Sequence, residues 1–207
     1  MIRVITIARE YGSGGDSIAK MLAELLGWKL IDRELIGDLA KRIHCSPEVV
    51  SRHDKYSPSV HSQVMRSYWT DGADTWAVIP CSHVLNEESL AATTGVLIRE
   101  AAQLGHCIIL GRASQCLLRD RSDTFHVFVY APVEERVWRL LGRYPNELDA
   151  EVAMTEIDRA RAAYLRKYFD RDWNDRYLYD LILNSMTGDA AVLATILAAC
   201  KLNPEHA

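Results

Sequence analysis

Five short apolar runs punctuate the chain, at residues 4–8, 28–31, 107–110, 127–131 and 181–183. They are continuous rather than alternating, which is the pattern of strands covered on both faces. Between them the apolar positions take on helical spacing. Ile18, Met21, Leu22, Leu25 and Leu26 recur at i, i+3, i+4, i+7 and i+8, and Gly27 supplies a stop. Val133, Val137, Leu140 and Leu141 form a second core-facing stripe, with Pro132 suited to the first turn. An Ala/Leu-rich helical pattern follows Asp189. Strand and helix alternate, so the pattern predicts a doubly wound α/β fold with a five-stranded parallel sheet between helical layers.

Two stretches interrupt this alternation. Residues 54–87 are polar and aromatic (Tyr56, Tyr68, Trp69, Trp76) and are broken by Pro58, Gly72 and Pro80. Residues 142–149, GRYPNELD, carry Gly, Pro and Asn between two helical patterns. Both read as insertions at the rim of the sheet, where ligand loops of open α/β folds lie.

At 207 residues the chain suits one domain, and 49% hydrophobic against 25% charged residues is enough for a sizeable core. A formal net charge of -4 argues against a broad nucleic-acid or membrane-surface role, which calls for a basic face. Cys45, Cys81, Cys107, Cys116 and Cys200 are scattered and odd in number, as expected of reduced thiols in a cytoplasmic protein. No leader pattern opens the chain and no apolar run is long enough to span a bilayer. The histidines lack ligand spacing, and Trp138 and Trp173 read as packing residues.

The chemistry concentrates in ITIAREYGSGGDSIAKMLAE, residues 5–24. Glycines between a strand and a helix let backbone N–H groups converge on an anion at the positive end of the helix. Gly12-x-Gly14-x-x-Ser17, with Asp32 twenty residues after Gly12, approximates a dinucleotide fingerprint. The alternative is a triphosphate loop, GxxxxGK[ST]. Matched on Gly14, its first glycine is Arg9, its lysine Gly15 and its hydroxyl Asp16, with Ser17 beside it. A turn that merely packs helix against strand is the third reading, and anion binding is favoured over it.

Phosphoryl transfer needs positive charge around the moving group. Unit charges about 4 Å apart attract by roughly 4 kcal/mol at an effective dielectric near 20, so a lost lysine must be replaced. Arg136, Arg139 and Arg143, at i, i+3 and i+7, share a helix face, and their alternative use is pairing with Glu134 and Glu135. Arg9 either restores charge or pins the loop through Glu10. Asp16 is suited to an outer Mg²⁺ ligand, with Ser13 and Ser17 as hydroxyl donors, or more simply to a helix N-cap.

Four ordered segments carry a resemblance. Residues 5–36, IILGRASQCLL (108–118), VFVYAPVEERVWRLL (127–141) and 157–185 resemble signatures of the cytidylate kinase-like family, within the P-loop nucleoside monophosphate kinases. That family's loop commonly reads REYGSGG or REFGSGG and also lacks the lysine. The resemblance implies a three-layer α/β/α P-loop kinase fold, with core parts near 1–32, 101–141 and 156–207. It also implies a helical monophosphate-binding insertion near 33–100 and a small lid near 142–155.

The implied activity is transfer of the γ-phosphoryl group of ATP, with Mg²⁺, to a nucleoside monophosphate, CMP or dCMP first. Gly12, Ser13, Gly14, Gly15, Asp16 and Ser17, with Arg9, would hold the triphosphate. Arg136, Arg139, Arg159 and Arg161 would grip the transferring group, with Asp158 orienting them. Asp32, Arg33, Gly111 and Arg112 stand where such folds bind the acceptor, and Gly111-Arg112 resembles the GRD motif of true cytidylate kinases up to Ala113. Ala113 replaces an aspartate that helps read the base, so a catalytically weak nucleotide sensor and a kinase for another small molecule remain as alternatives. Small-molecule nucleotides are the expected partners, with monomer and homodimer equally open.

Overall fold

The computed structural model describes residues 1–32 and 87–203. Its strands are β1 (Val4–Arg9), β2 (Lys29–Ile31), β3 (Cys107–Leu110), β4 (Thr124–Tyr130) and β5 (Leu181–Asn184). All five pair in parallel, as the apolar runs predict, and the structure orders them β2-β3-β1-β4-β5. The helices are α1 (Gly15–Leu26), α2 (Glu87–Leu104), α3 (Ser114–Leu117), α4 (Val133–Leu140), α5 (Glu147–Phe169) and α6 (Asp189–Cys200).

Residues alternate across β1, so one face of the sheet presents Ile5 and Ile7 to Ile18, Leu22 and Leu26 of α1 and Val192 and Ile196 of α6. The other face presents Ala8 and Phe128 to Ala113, Leu165 of α5, Trp173 and Leu178. These are the three layers. A smaller cluster of Val137, Leu140, Ala150 and Met154 holds α4 against the start of α5. The carboxyl ends of β1, β2 and β3 therefore open at one rim, where ligands of open α/β sheets bind.

Several expectations are corrected. On α1 the buried stripe is Ile18, Leu22 and Leu26 with Ala19 and Ala23, while Leu25 is exposed. On α4, Val137 and Leu140 are buried as expected, but Val133, Leu141 and Trp138 point outward, Trp138 at 69% exposure. The buried third residue of α4 is Arg136, whose carboxylate partners compensate its charge. Asp16 is not an N-cap: Gly14 caps α1 in a left-handed conformation and Asp16 lies inside the first turn. Trp173 is buried edge-on against Phe128, as a packing residue.

Residues 142–155, expected as a lid, hold a turn and then the opening turns of α5. Asn146 caps that helix by accepting the Asp149 N–H at 2.9 Å. Cys107, Cys116 and Cys200 form no disulfide. Among the described residues no helix is long and apolar enough to cross a membrane. Most of the expected monophosphate insertion, with Arg33 and the aromatic residues Tyr68, Trp69 and Trp76, lies outside the described residues.

Candidate functional site

The glycine loop leaves β1 at Arg9 and enters α1 at Gly15. Gly12 and Gly14 both take positive φ, +81°, a region L side chains rarely occupy. Gly12 is also crowded: a Cβ there would stand 3.0 Å from the Arg136 carbonyl oxygen. Ser13 closes the turn, its buried hydroxyl donating to the Glu10 carbonyl at 2.8 Å. The first-turn N–H groups of α1 (Gly15, Asp16, Ser17) are those a helix start leaves without main-chain partners, and they face the rim with the helix dipole behind them. Ser17 is exposed there.

The arginine stripe reaches this loop at all three positions. Arg136, 6% exposed, bonds Glu10 Oε2 at 3.0 Å and Asp158 Oδ2 at 2.8 Å. Arg139 donates to the Ser13 carbonyl at 2.8 Å and to Ser185 Oγ at 2.9 Å, and pairs with Glu135 at 2.8 Å. Arg143 donates to the Tyr11 hydroxyl at 3.0 Å, which in turn meets the Tyr144 hydroxyl at 3.2 Å. Pairing with a glutamate and contact with the loop therefore coexist at Arg139.

A second group of arginines lines a cavity of about 320 Å³ beyond the carboxyl ends of β1 and β3. Arg9, Arg112 and Arg161 supply its cations, Gly111 and Gln115 part of its floor, and Ile157, Tyr164, Leu165 and Trp173 its apolar wall. Arg9 pairs with Asp16 at 2.8 Å, not with Glu10. Burial alone would raise the Asp16 carboxyl, but the hydrogen bond and charge of Arg9, with the charge of Arg161, hold it below its usual value. Arg161 donates to the Arg9 carbonyl at 2.7 Å and to Asp158 Oδ1 at 3.2 Å. Its own burial, and then the charge of Arg9, bring Arg161 down to about 10. Two guanidinium groups are thus held together against their repulsion.

Gly111, Arg112 and Ala113 take φ of +73°, +57° and +54° in succession. Left-handed backbone costs a non-glycine residue about 1 kcal/mol or more, and such outliers concentrate where a ligand is gripped. The turn brings Arg112 to the cavity and buries Ala113 among Phe128, Leu165 and Trp173. Asp32 follows β2, which pairs with β3. Arg159 is exposed on α5 and does not line the cavity.

Two carboxylates anchor the site: Asp158, expected from the resemblance to orient the arginines, and Glu10, whose partners here the sequence does not indicate. Asp158 gathers the Tyr11 N–H at 2.8 Å together with Arg136 and Arg161, tying loop, α4 and α5 at one carboxylate. Glu10 accepts the Ala131 N–H at 3.2 Å as well as Arg136. From the residues alone, only the i, i+3 spacing of Asp158 and Arg161 signals the first anchor, and it signals equally an ordinary surface pair.

The donor set fits a triphosphate: a glycine turn, a helix N-terminus and cations on both sides of it. For Mg²⁺, Asp16 offers a hard carboxylate at the first turn of α1 and Ser17 an exposed hydroxyl. Among the described residues no group of three or more His, Cys, Asp or Glu side chains could hold a metal by itself. One carboxylate nevertheless suits Mg²⁺, which keeps waters and takes substrate phosphate oxygens for its remaining positions.

In fold, the chain is similar to an uncharacterized protein from Eubacterium ventriosum, with TM-score 0.72 and 21% identity over 98% of this chain and 100% of that one. It is similar also to a shikimate kinase from Bacteroides thetaiotaomicron (TM-score 0.51, 14% identity, 98% and 100% covered). A sugar kinase from Janibacter sp. gives TM-score 0.50 and 16% identity, with 99% and 98% covered. No curated protein sequence matches the chain. A family model matches residues 4–187, spanning the glycine loop, the Gly111–Ala113 turn, the arginine stripe and Asp158–Arg161, and on that match the chain belongs to the cytidylate kinase-like family.

Proposed function

We propose that the protein transfers the γ-phosphoryl group of ATP to a nucleoside monophosphate, with CMP or dCMP the first acceptors to test. The observation that carries this reading is the placement of Arg9, Arg112 and Arg161 around one cavity adjoining the glycine loop. A triphosphate on the N–H groups of α1 and an acceptor phosphate in the cavity would meet between these cations. Positioning and charge stabilisation are what phosphoryl transfer demands of a protein.

In this reading Gly12, Gly14 and Gly15 let the backbone approach the phosphates. Arg139 and Arg143 cover the loop from α4 and its following turn. Arg161 faces the transferring group from α5, and Arg112 clamps the acceptor phosphate beside Gly111, with Asp32 after β2 and, next in sequence, Arg33 as further acceptor contacts in this reading. Arg136, buried between two carboxylates, holds the loop in place rather than touching phosphate. Arg159 reaches the reaction only with a movement of α5. Mg²⁺ when bound would neutralise phosphate charge, and Asp16 and Ser17 would hold it. Residues 142–155 would exclude water as a lid.

One observation favours a second reading. Ala113 is buried against apolar side chains, leaving no carboxylate there to read a base, so another phosphorylated or anionic small molecule is a competing acceptor. ADP release coupled to a spectroscopic readout, run across nucleoside monophosphates and without acceptor, separates the cases. Turnover above the acceptor-free rate with CMP or dCMP supports the first reading. ATP binding with no acceptor-dependent turnover on any nucleotide removes it in favour of another substrate or a sensor. The protein is expected to act in the cytoplasm.

A further inference from the structure

We propose that Arg9 brings the positive charge that lysine supplies to other phosphate loops, and that residue 15 is glycine because the Arg9 side chain runs through the space above it. The proposal rests on the phosphotransferase reading of this site. In GxxxxGK[ST] the lysine follows the last glycine and reaches the β- and γ-phosphates from the start of the helix. By sequence, this chain departs from that pattern at two separate positions besides Asp16, with Arg9 for the first glycine and Gly15 for the lysine.

In space the two departures are one exchange. A Cβ on Gly15 would stand 2.6 Å from Arg9 Cβ and 2.8 Å from Arg9 Cγ, closer than carbon atoms approach without bonding. No side chain at 15 can coexist with Arg9 in this position. Gly15 opens α1 without a positive φ, so the requirement for glycine is steric and comes from Arg9.

The far end of the side chain is fixed as well. Its Nη2 bonds Asp16 at 2.8 Å, and a Cβ on Gly111 would meet its Nη1 at 2.5 Å. Arg9 is thus threaded between two glycines from different strand ends, and its side chain is only 12% exposed. Its Nε is buried and has no hydrogen-bond partner among the described residues. Buried N–H groups of a guanidinium are costly to leave unpaired, and this one belongs to a residue lining the cavity. An anion at the mouth of the loop would meet a planar fork already in place, whereas a lysine would have to be immobilised on binding.

Calorimetric titration with MgATP, together with turnover, tests the exchange in wild type, Arg9→Met, Arg9→Gly, Gly15→Lys and the double variant Arg9→Gly/Gly15→Lys. Arg9→Met keeps an aliphatic stem over Gly15 while removing the charge, so its loss is separable from misfolding by its melting temperature. The expected result is at least a tenfold loss of ATP affinity or turnover in each single variant. The double variant should recover at least tenfold over Arg9→Gly, because the lysine then has both its charge and its space. Arg9→Met within threefold of wild type, or a double variant no better than Arg9→Gly, overturns the proposal. A wild-type protein that binds no nucleoside triphosphate removes the phosphotransferase reading itself and this proposal with it, an outcome visible before any variant is made.

Discussion

Arg161 donates a 2.7 Å hydrogen bond to the main-chain carbonyl of Arg9, joining α5 directly to the last residue of β1. The same guanidinium bonds Asp158, so its orientation is fixed from two elements before any ligand arrives. Arg161→Met is expected to lower kcat/KM at least tenfold, about 1.4 kcal/mol of lost transition-state stabilisation. The loss should exceed that of Arg159→Ala, since Arg159 is exposed on α5 away from the cavity. Steady-state kinetics of the two variants side by side check this, and equal losses would contradict it.

Arg9 and Arg161 repel one another, and burial adds to the cost of charging Arg161. Its burial, and then the charge of Arg9, pull the Arg161 pKa down to about 10, below the ordinary guanidinium value. The penalty is therefore present at neutral pH and is relieved only as pH rises past about 10. An anion in the cavity relieves it without a pH change. Pyrophosphate at a hundred times its Kd should stabilise the fold by about 2.7 kcal/mol, raising Tm by roughly 5–10 °C. Differential scanning fluorimetry should show the shift in wild type and a smaller one in Arg161→Met.

Arg136 sits between Glu10 and Asp158 with a side chain 7% exposed. Replacing it by leucine would leave two poorly solvated carboxylates without the cation between them, Asp158 keeping only the Arg161 cation. Breaking a buried pair in this way costs about 3 kcal/mol or more. Chemical denaturation of Arg136→Leu should show that loss, and the loop's tie to α5 should loosen with it. A destabilisation under about 1 kcal/mol would mean the pair is solvated like a surface pair.

His126 on β4 shares a 2.7 Å hydrogen bond with Thr6 and is 7% exposed. Its burial, partly opposed by the charge of Asp180, holds its pKa below 6.5. The unfolded chain then takes up this proton first as pH falls. Stability from this residue is accordingly full above about pH 6.5 and declines below it, down to the folded-state pKa. In His126→Phe the melting temperature should lose that part of its slope between pH 6.5 and 5. An unchanged slope would show that other groups set the acid limb.

The parallel sheet was legible because buried strands leave continuous apolar runs, and each of the five runs overlaps a strand of the observed sheet, with Trp28 and Ala131 just outside. The spacing of Arg136, Arg139 and Arg143 was legible and all three reach the loop, but not as one helix face: Arg143 lies in the turn after α4, and Arg136 is buried beside Val137 and Leu140. What each arginine does was not legible, because their partners are distant in sequence: Asp158 for Arg136, Ser185 for Arg139, Tyr11 for Arg143. Spacing likewise misplaced Val133 and Trp138, where the charged Arg136 takes the inward position between Glu10 and Asp158. Asp16 has the composition of an N-cap, but Gly14 already provides the turn and Arg9 attracts the carboxylate. The crowding of Arg9 over Gly15 leaves no trace in a one-dimensional pattern.

Helix α5 runs unbroken for 23 residues, from the cap at Asn146 to Phe169. Ala150 and Met154 near one end pack on α4, Asp158 and Arg161 at the middle hold the loop, and Leu165 near the other end is seated on the sheet. Such a member behaves as a stiff lever roughly 34 Å long at 1.5 Å per residue. Torque applied at its amino end turns the cation, the carboxylate and the cavity wall through one common angle, so none of the three can be retuned in isolation.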